Sequence, residues 1–414
     1  MRILAYTSPA RGHLYPLVPI LDELAGRGHE IAVRTLSSQV SLMSARGFDA
    51  APIAPAIEAI EHDDYRGRTP NARLRRGLAT FAARAPEEVR DLRATIAACR
   101  PEALLVDCAT WGANAAAEAW GAPWAQWFPY PLPLSSRDTP PFGPGLKPAR
   151  GPLGRLRDRA VRPLAIRALE RASLPAFNAV RTRVGVPPYA TADDMFTTPP
   201  LLLNMTAEPF EYARSDWPDS VRLVGPCPWD PPAEAPAWLE QVDRPIVLVS
   251  TSSEFQDDGR LVATALDGLA GEDFQVVATL PSASPPRAVP PNARVESFVP
   301  HARILERAAC AITHGGAGVT QKALAAGVPV CVVPFGRDQL EVARRVEVAG
   351  AGTRLPAARL NPARLRQRVR TALALRDGAR RVAAGYEAAG GAPAAADAFE
   401  ALLTQGISST RPGA

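Results

Sequence analysis

Two patterns of apolar and polar positions alternate along most of this chain. Short apolar runs, each ending in a small or polar turn, are followed by longer segments in which apolar residues recur every three or four positions. The short runs predict buried strands and the longer segments predict amphipathic helices. Because strands and helices alternate, the pattern indicates βαβ units and parallel sheets. The predicted strands are 3–6, 28–35, 104–107, 201–205, 221–225, 245–250, 274–279, 293–298, 310–313 and 328–333.

The length of the chain indicates more than one domain. A chain of 414 residues exceeds one ordinary core and suggests two domains of about 200 residues each. The clearest break is the proline-rich segment 226–236, which favours an extended connector. We therefore predict a first domain at 1–225, a linker at 226–240, a second domain at 241–392, and a C-terminal helix with a frayed tail at 393–414.

Composition excludes several classes of protein. Apolar residues make up 47% and charged residues 21%, as in globular proteins. The five cysteines have no CxxC spacing, which argues against a disulfide framework or a zinc site. The net charge of +5 comes with interspersed acids and no basic-plus-aromatic motif, so nucleic-acid binding is not expected. The chain begins in a strand and has no apolar run of about 18 residues, so we expect a cytoplasmic protein with no membrane partner.

The segment 298–352 contains the strongest candidate site. A predicted strand runs directly into the glycine-rich turn 314–318 and then into a helix. Unpaired N–H groups and the positive end of a helix dipole at such a turn bind phosphate groups, although a tight connection alone would have the same sequence. Phe298 precedes this turn, and the polar pair Asp338 and Gln339 follows the next strand. This order suits a nucleoside diphosphate joined to a polyhydroxylated group.

A second candidate site lies at the ends of two strands in the first half. His13 follows the strand 3–6, and Asp107 ends the strand 104–107. The carboxyl ends of parallel strands share one edge, where open α/β sheets bind ligands. A carboxylate at this edge can orient a histidine that acts as a general base. The alternative is that each residue only caps a helix.

These motifs together resemble the family 1 glycosyltransferases of GT-B fold, and more closely the bacterial antibiotic glycosyltransferases of the calicheamicin and macrolide type. The resemblance implies two Rossmann-like domains facing each other across a cleft. It also implies that His13, in its GHxxP context, is the general base and that Asp107 orients it. The implied donor contacts are Phe298 on the base face, the Val299 backbone on the base edge, Ser253, His314, Gly316, Ala317 and Gly318 on the diphosphate, and Asp338 and Gln339 on sugar hydroxyls.

The chain departs from this family pattern at two positions. Ser252 stands where the family has a glycine, which makes close backbone approach to the diphosphate less certain. Lys322 stands where the family has a glutamate that binds the ribose hydroxyls, and an ammonium group cannot accept those hydrogen bonds. We therefore predict a deoxyribonucleotide donor such as a dTDP-sugar. The alternative is that Lys322 is a solvated helix residue.

The acceptor site is expected in the first domain. Aromatic residues cluster near the ends of two strands there, and they suit either an apolar acceptor or a plain core. The proline- and glycine-rich segment 138–152 is a candidate lid. The arginine-rich helical segment 155–183 either is a solvated face or lines the approach of the donor. The candidate acceptor residues are Trp111, Trp127, Phe128 and Tyr130.

The predicted function is therefore an inverting, metal-independent transfer of a sugar from a dTDP-sugar or UDP-sugar to a hydroxyl group of a polyketide- or enediyne-like small molecule. No Asp-x-Asp motif occurs, and no cofactor or metal is expected. The chain is expected to act as a monomer or homodimer. The alternatives are a UDP-glucose-dependent glucosyltransferase of broad specificity, a nucleotide-sugar epimerase of the same fold, and a non-catalytic partner protein.

Overall fold

The computed structural model describes residues 1–256, 258–281 and 288–409. Two parallel sheets form the framework of this part of the chain, one from each half. The last helix runs to Ser409, and the rest of the predicted frayed tail lies outside the described residues. Among the described residues, no helix has both the length and the apolar character needed to cross a bilayer.

The first sheet has seven parallel strands in the order β3-β2-β1-β4-β5-β6-β7. The order reverses between β1 and β4, which places the switch point of the sheet at their carboxyl ends. The strands are β1 (Arg2–Tyr6), β2 (Glu30–Thr35), β3 (Asp49–Pro52), β4 (Ala103–Asp107), β5 (Trp124–Phe128), β6 (Leu201–Asn204) and β7 (Val221–Leu223).

The second sheet repeats this arrangement with six parallel strands in the order β10-β9-β8-β11-β12-β13. Its order reverses between β8 and β11, so its switch point lies where those two strands end. The strands are β8 (Ile246–Ser250), β9 (Gln275–Thr279), β10 (Ala293–Glu296), β11 (Ala308–Thr313), β12 (Val330–Val332) and β13 (Gly352–Arg354).

Helices cover both faces of each sheet. Successive strand residues point to opposite faces, so Ile3 joins one apolar cluster and Leu4 the cluster on the other side. The two-sided burial explains why the strands appear in the sequence as continuous apolar runs. The helices are α1 (Arg11–Gly26), α2 (Val40–Ser44), α3 (Pro55–Glu58), α4 (Pro70–Cys99), α5 (Trp111–Trp120), α6 (Pro152–Val184), α7 (Asp194–Thr197), α8 (Arg260–Leu269), α9 (His301–Leu305), α10 (Ala317–Ala325), α11 (Gln339–Val348), α12 (Pro362–Leu373), α13 (Arg376–Ala388) and α14 (Gly391–Ser409).

The last helix returns to the first half of the chain. α14 packs on α1, and its Phe399 and Leu403 are buried in the core beneath the first sheet. The proline-rich segment 226–236 contains no helix or strand and carries Trp229 against Tyr15 of α1. The chain therefore crosses between the two halves twice, once through this proline-rich segment and once where it enters α14.

Candidate active site

The carboxyl ends of both sheets face one large cavity of about 1440 Å³. The turn after β1 and the start of α1 form one wall, and the turns after β8 and β11 form the opposite wall. Both switch points therefore open into the same space, as the sequence predicted for a cleft between two Rossmann-like units.

His13 and Asp107 are in contact at the switch point of the first sheet. His13 Nδ1 lies 2.8 Å from Asp107 Oδ1, and the Asp107 side chain is fully buried. Asp107 also accepts hydrogen bonds from the backbone N–H and the hydroxyl of Ser8 and from the Ala109 N–H. With Nδ1 donating to this carboxylate, the lone pair of His13 is on Nε2, which has no partner among the described residues.

Opposing effects set the protonation of this pair. Burial acts to lower the pKa of His13, but the charge and hydrogen bond of Asp107 outweigh it and raise that pKa above 6.5. For Asp107, burial acts to raise the pKa, yet the neighbouring His13 and the hydrogen bonds from Ala109 and Ser8 hold it below its usual value. The pair therefore consists of an ionised carboxylate and an imidazole whose pKa lies above its usual value.

Cys108 lies close to the same pair. His13, Asp107 and Cys108 each have one potential metal-ligand atom, and these three atoms lie within 4.8 Å of one another. Such a group could coordinate a metal ion. However, the His13–Asp107 hydrogen bond and the Ser8 and Ala109 donors already occupy the carboxylate. Burial also raises the pKa of the Cys108 thiol well above its usual value, so it is neutral. These residues fit a hydrogen-bonded base better than a metal site.

The glycine-rich turn after β11 has the geometry of an anion site. His314 is buried, and its Nδ1 lies 3.5 Å from the Ser250 carbonyl oxygen. Burial is the main reason that its pKa is lowered, so the ring is neutral. No side chain caps the start of α10, which lines the cavity with Ala317 and Gly318. The first N–H groups of this helix remain available for a phosphate.

Buried hydrogen bonds connect the turn after β8 to the turn after β12. Gln339 Nε2 donates to Gln256 Oε1 at 2.7 Å, and Gln256 Nε2 donates to Ser252 Oγ at 2.7 Å. The Ser252 N–H donates to Asp258 at 2.8 Å. Sequence reasoning missed Gln256 and Asp258, because they lie in an irregular segment without a motif. Ser253, the predicted diphosphate contact, lines the cavity beside this chain of hydrogen bonds.

Asp338 and Gln339 occupy different environments. Asp338 lines the cavity, and burial raises its pKa to about 6. Gln339 is 1% exposed, and its Oε1 accepts the N–H groups of Phe335 and Gly336. Gln339 lines the cavity as well, and both ends of its amide already have protein partners. It therefore shapes the turn that presents Asp338, and its contact with sugar hydroxyls stays a prediction.

The predicted nucleoside contacts lie at one end of the cavity. Phe298 is 48% exposed and lines the cavity, and Val299, which is buried, lines it as well. Lys322 is not a solvated residue, because its Nζ bonds Asp230 Oδ1 at 2.5 Å and the Trp229 carbonyl oxygen at 2.7 Å. Asp230, from the connector, also accepts the Ala302 N–H at 2.9 Å. Sequence reasoning missed this carboxylate.

Three of the four predicted acceptor aromatics do not line the cavity. Trp127 is fully buried in the core on one face of the first sheet, and Phe128, the next residue of β5, is buried on the other. Trp111 packs between Phe81 and Phe177. Only Tyr130 lines the cavity, with its ring centroid 5.7 Å from that of His13. The other three are core residues because their strand and helix are covered on both sides.

Other residues form the apolar end of the cavity. They come from α4, α6, the segment after β5 and the predicted lid, which does line the cavity. Among the arginines of α6, Arg162 lines the cavity and Arg181 is buried against Glu118, while Arg155, Arg159 and Arg167 are exposed. The solvated face therefore holds for part of this helix, and a role of its arginines in the approach of the donor stays a prediction. The apolar lining residues are Leu74, Leu78, Phe81, Leu134, Phe142, Ile166 and Leu169.

Comparison with known proteins identifies the fold and the chemistry together. Residues 263–401 match the C-terminal domain described as "Erythromycin biosynthesis protein CIII-like". A protein named 4'-demethylrebeccamycin synthase, from Lentzea aerocolonigenes, is 34% identical over 389 residues, which cover 90% of this chain and 91% of that protein. This similarity extends over both sheets and the cavity between them.

Solved structures show the same architecture over nearly the whole chain. The kitacinnamycin glycosyltransferase superposes with a TM-score of 0.72 at 25% identity and covers 97% of this chain and 98% of its own. The calicheamicin glycosyltransferase CalG4 superposes with a TM-score of 0.70 at 22% identity, with 98% of both chains covered. The chain therefore belongs to the family 1 glycosyltransferases of GT-B fold, which are inverting, metal-independent enzymes that use nucleotide sugars.

Proposed function

We propose that this glycosyltransferase moves a deoxysugar from a dTDP-sugar to a hydroxyl group of an apolar natural product, with His13 as the general base. The supporting observation is the 2.8 Å bond between His13 Nδ1 and the buried Asp107 at one wall of a cavity whose other wall is the uncapped start of α10. This arrangement sets a base opposite a site for a departing diphosphate.

In this proposal, the acceptor hydroxyl lies against His13 Nε2. Its oxygen forms a bond to C1 of the sugar from the face opposite the diphosphate, while its proton passes to Nε2. The C1–O bond to the diphosphate breaks, and the diphosphate leaves with the electron pair. Asp107 stabilises the imidazolium that forms, and the amides of α10 and Ser253 receive the charge of the leaving group.

The polyketide or enediyne class of acceptor rests on the cavity and on the relatives. The cavity end near α4 and α6 is apolar, which suits a large hydrophobic aglycone. Two similar proteins are named for the compounds 4'-demethylrebeccamycin and kitacinnamycin. We propose an acceptor of comparable chemical type for this chain.

The deoxyribonucleotide preference rests on the environment of Lys322. The Lys322 ammonium cannot accept a hydrogen bond from a ribose 2'-hydroxyl, and the charge of Asp230 beside it is already paired with Lys322. UDP therefore gains less from this hydroxyl than it would from a glutamate at position 322. We expect dTDP to bind at least as tightly as UDP, measured by isothermal titration calorimetry.

The variant Lys322→Glu tests this preference, because it restores a carboxylate on α10. A hydrogen bond to a charged group contributes about 1.5–3 kcal/mol, so we expect the affinity for UDP to rise by about ten- to a hundredfold relative to dTDP. The dTDP titration in the same variant is the internal control. An unchanged ratio of the two dissociation constants would contradict the donor assignment, without bearing on the base.

A further inference from the structure

The predicted lid is fastened to the second half of the molecule. The N–H groups of Gly143 and Gly145 both donate to Glu341 Oε1 at 2.8 Å. Arg344 Nε donates to the Gly145 carbonyl oxygen at 2.8 Å. Glu341 and Arg344 belong to α11, which begins at Gln339, directly after Asp338. A wall of the acceptor cavity is therefore held by the helix that starts at the sugar end of the donor site.

In this docked arrangement, position 145 accepts only a glycine. Its φ is +61°, in the left-handed region that favours glycine. A Cβ atom there would lie 2.5 Å from the Leu340 carbonyl oxygen, which is backbone and cannot turn aside. The lid thus approaches α11 more closely than any other residue type would allow.

Glu341 is held in place by buried charges. Its Oε2 accepts a bond from Arg345 Nη1 at 2.8 Å, and Arg345 also bonds both carboxylate oxygens of Glu211. The side chains of Glu341 and Arg345 are each 2% exposed. From the described residues, Glu341 Oε1 receives only the two lid N–H groups. Undocking the lid would leave a buried carboxylate oxygen without partners, which costs free energy.

We propose that Glu341 is a positioning residue through which α11 of the donor half holds Phe142 in the acceptor wall. Phe142 and the neighbouring Pro144 line the cavity within the docked lid. The acceptor pocket is then complete only when the two halves are in this arrangement, so acceptor affinity depends on the donor half. The assignment of this wall as an acceptor contact rests on the proposed function. The docking of the lid on α11 does not depend on it.

The variant Gly145→Ala tests the proposal without changing the buried charges. The added methyl group forces the lid away from Leu340, so we expect amide hydrogen exchange in residues 140–146 to accelerate by about tenfold or more. The acceptor KM should rise by about tenfold, while the donor KM and dTDP affinity stay unchanged. Arg344→Ala should give the same changes to a smaller degree, because one hydrogen bond is removed.

Gly151→Ala is the matched control. Gly151 lies in the same segment with a φ of +116°, and a Cβ atom there meets nothing within 4 Å. Its φ of +116° with a ψ of −176° is a glycine-only conformation, so an alanine there carries more backbone strain than at position 145 but makes no contact with α11. Exchange in 140–146 and acceptor KM should therefore match the wild type. Wild-type exchange and KM in Gly145→Ala would overturn the proposal. If the wild type glycosylated no apolar acceptor, the proposed function would fail, and the exchange measurement would still decide whether the lid is docked.

Discussion

His13 shows how a single buried neighbour adjusts a base for catalysis. Burial acts to lower its pKa, and Asp107 more than offsets this, so the neutral form required of a base predominates only above a raised pKa. We expect kcat/KM to rise with pH through this raised pKa, which lies above 6.5. In Asp107→Asn the pKa of His13 falls, so the acidic limb should move to lower pH while the plateau drops by about 10²–10⁴-fold. A pH profile of kcat/KM measures both changes.

Asp91→Asn is the control for this prediction. Asp91 also accepts hydrogen bonds in a partly buried setting, from the Tyr6 hydroxyl and the Ala54 N–H, but it does not line the cavity. Its pH profile should keep the wild-type midpoint. A limb that stays in place in Asp107→Asn would show that another group titrates in the profile.

Some residue roles could be predicted from the sequence and others could not. His13 and Asp107 were predicted to meet because strand ends share an edge, and the 2.8 Å bond confirms their contact. The environments of Lys322 and Gln339 could not be predicted, because their partners Asp230 and Gln256 lie 92 and 83 residues away along the chain. Side-chain contacts across such separations depend on packing rather than on local pattern.

The turn between β11 and α10 requires a glycine at position 316. A Cβ atom at Gly316 would lie 2.4 Å from His314 Nε2, so the variant Gly316→Ala must displace the His314 ring from the anion turn. We expect the dissociation constant for dTDP to rise by about tenfold, equivalent to about 1.4 kcal/mol. The displaced atom ends a side chain, so the melting temperature without ligand should change little. Calorimetric titration and thermal unfolding measure the two effects.

Gly26→Ala provides a comparison within another helix. A Cβ atom at Gly26 meets nothing within 4 Å, and α1 ends there, away from the cavity. Its dTDP affinity should equal that of the wild type. Equal dTDP affinity in Gly316→Ala would remove the role assigned to the His314 turn.

Elements were easier to predict than the faces they expose. Ten of the thirteen strands in the described part of the chain were predicted from apolar runs, and two-sided burial accounts for these runs. β3, β5 and β13 were not predicted, because β3 and β13 are short and lack such a run and β5 was taken only as an aromatic cluster. Because β5 is also covered on both sides, its sequence did not reveal that Trp127 and Phe128 both point into cores. The apolar cavity residues of α4 and α6 were missed because a helix that lines a cavity has the same spacing as one that packs on a core.

At the scale of the whole molecule, the C-terminal helix stabilises the half of the chain where the sequence begins. Phe399 of α14 is fully buried in the core that α1 shares with the first sheet. Truncating a buried phenylalanine costs about 3–5 kcal/mol. We therefore expect Phe399→Ala to lower the free energy of unfolding by about this amount, and hydrogen exchange to accelerate in α1 although α1 is distant in sequence.

Nucleotide binding separates this effect from general damage. Because the proposed donor site lies at β8, β11 and α10, the folded Phe399→Ala protein should bind dTDP with wild-type affinity below its unfolding transition. Asp397→Asn is the matched control on the same helix, since Asp397 is 70% exposed and its bond to Arg27 is a surface ion pair that contributes about 0–1 kcal/mol. If Phe399→Ala accelerated hydrogen exchange in the donor half and left exchange in α1 unchanged, the result would contradict the stabilisation of the first half by α14.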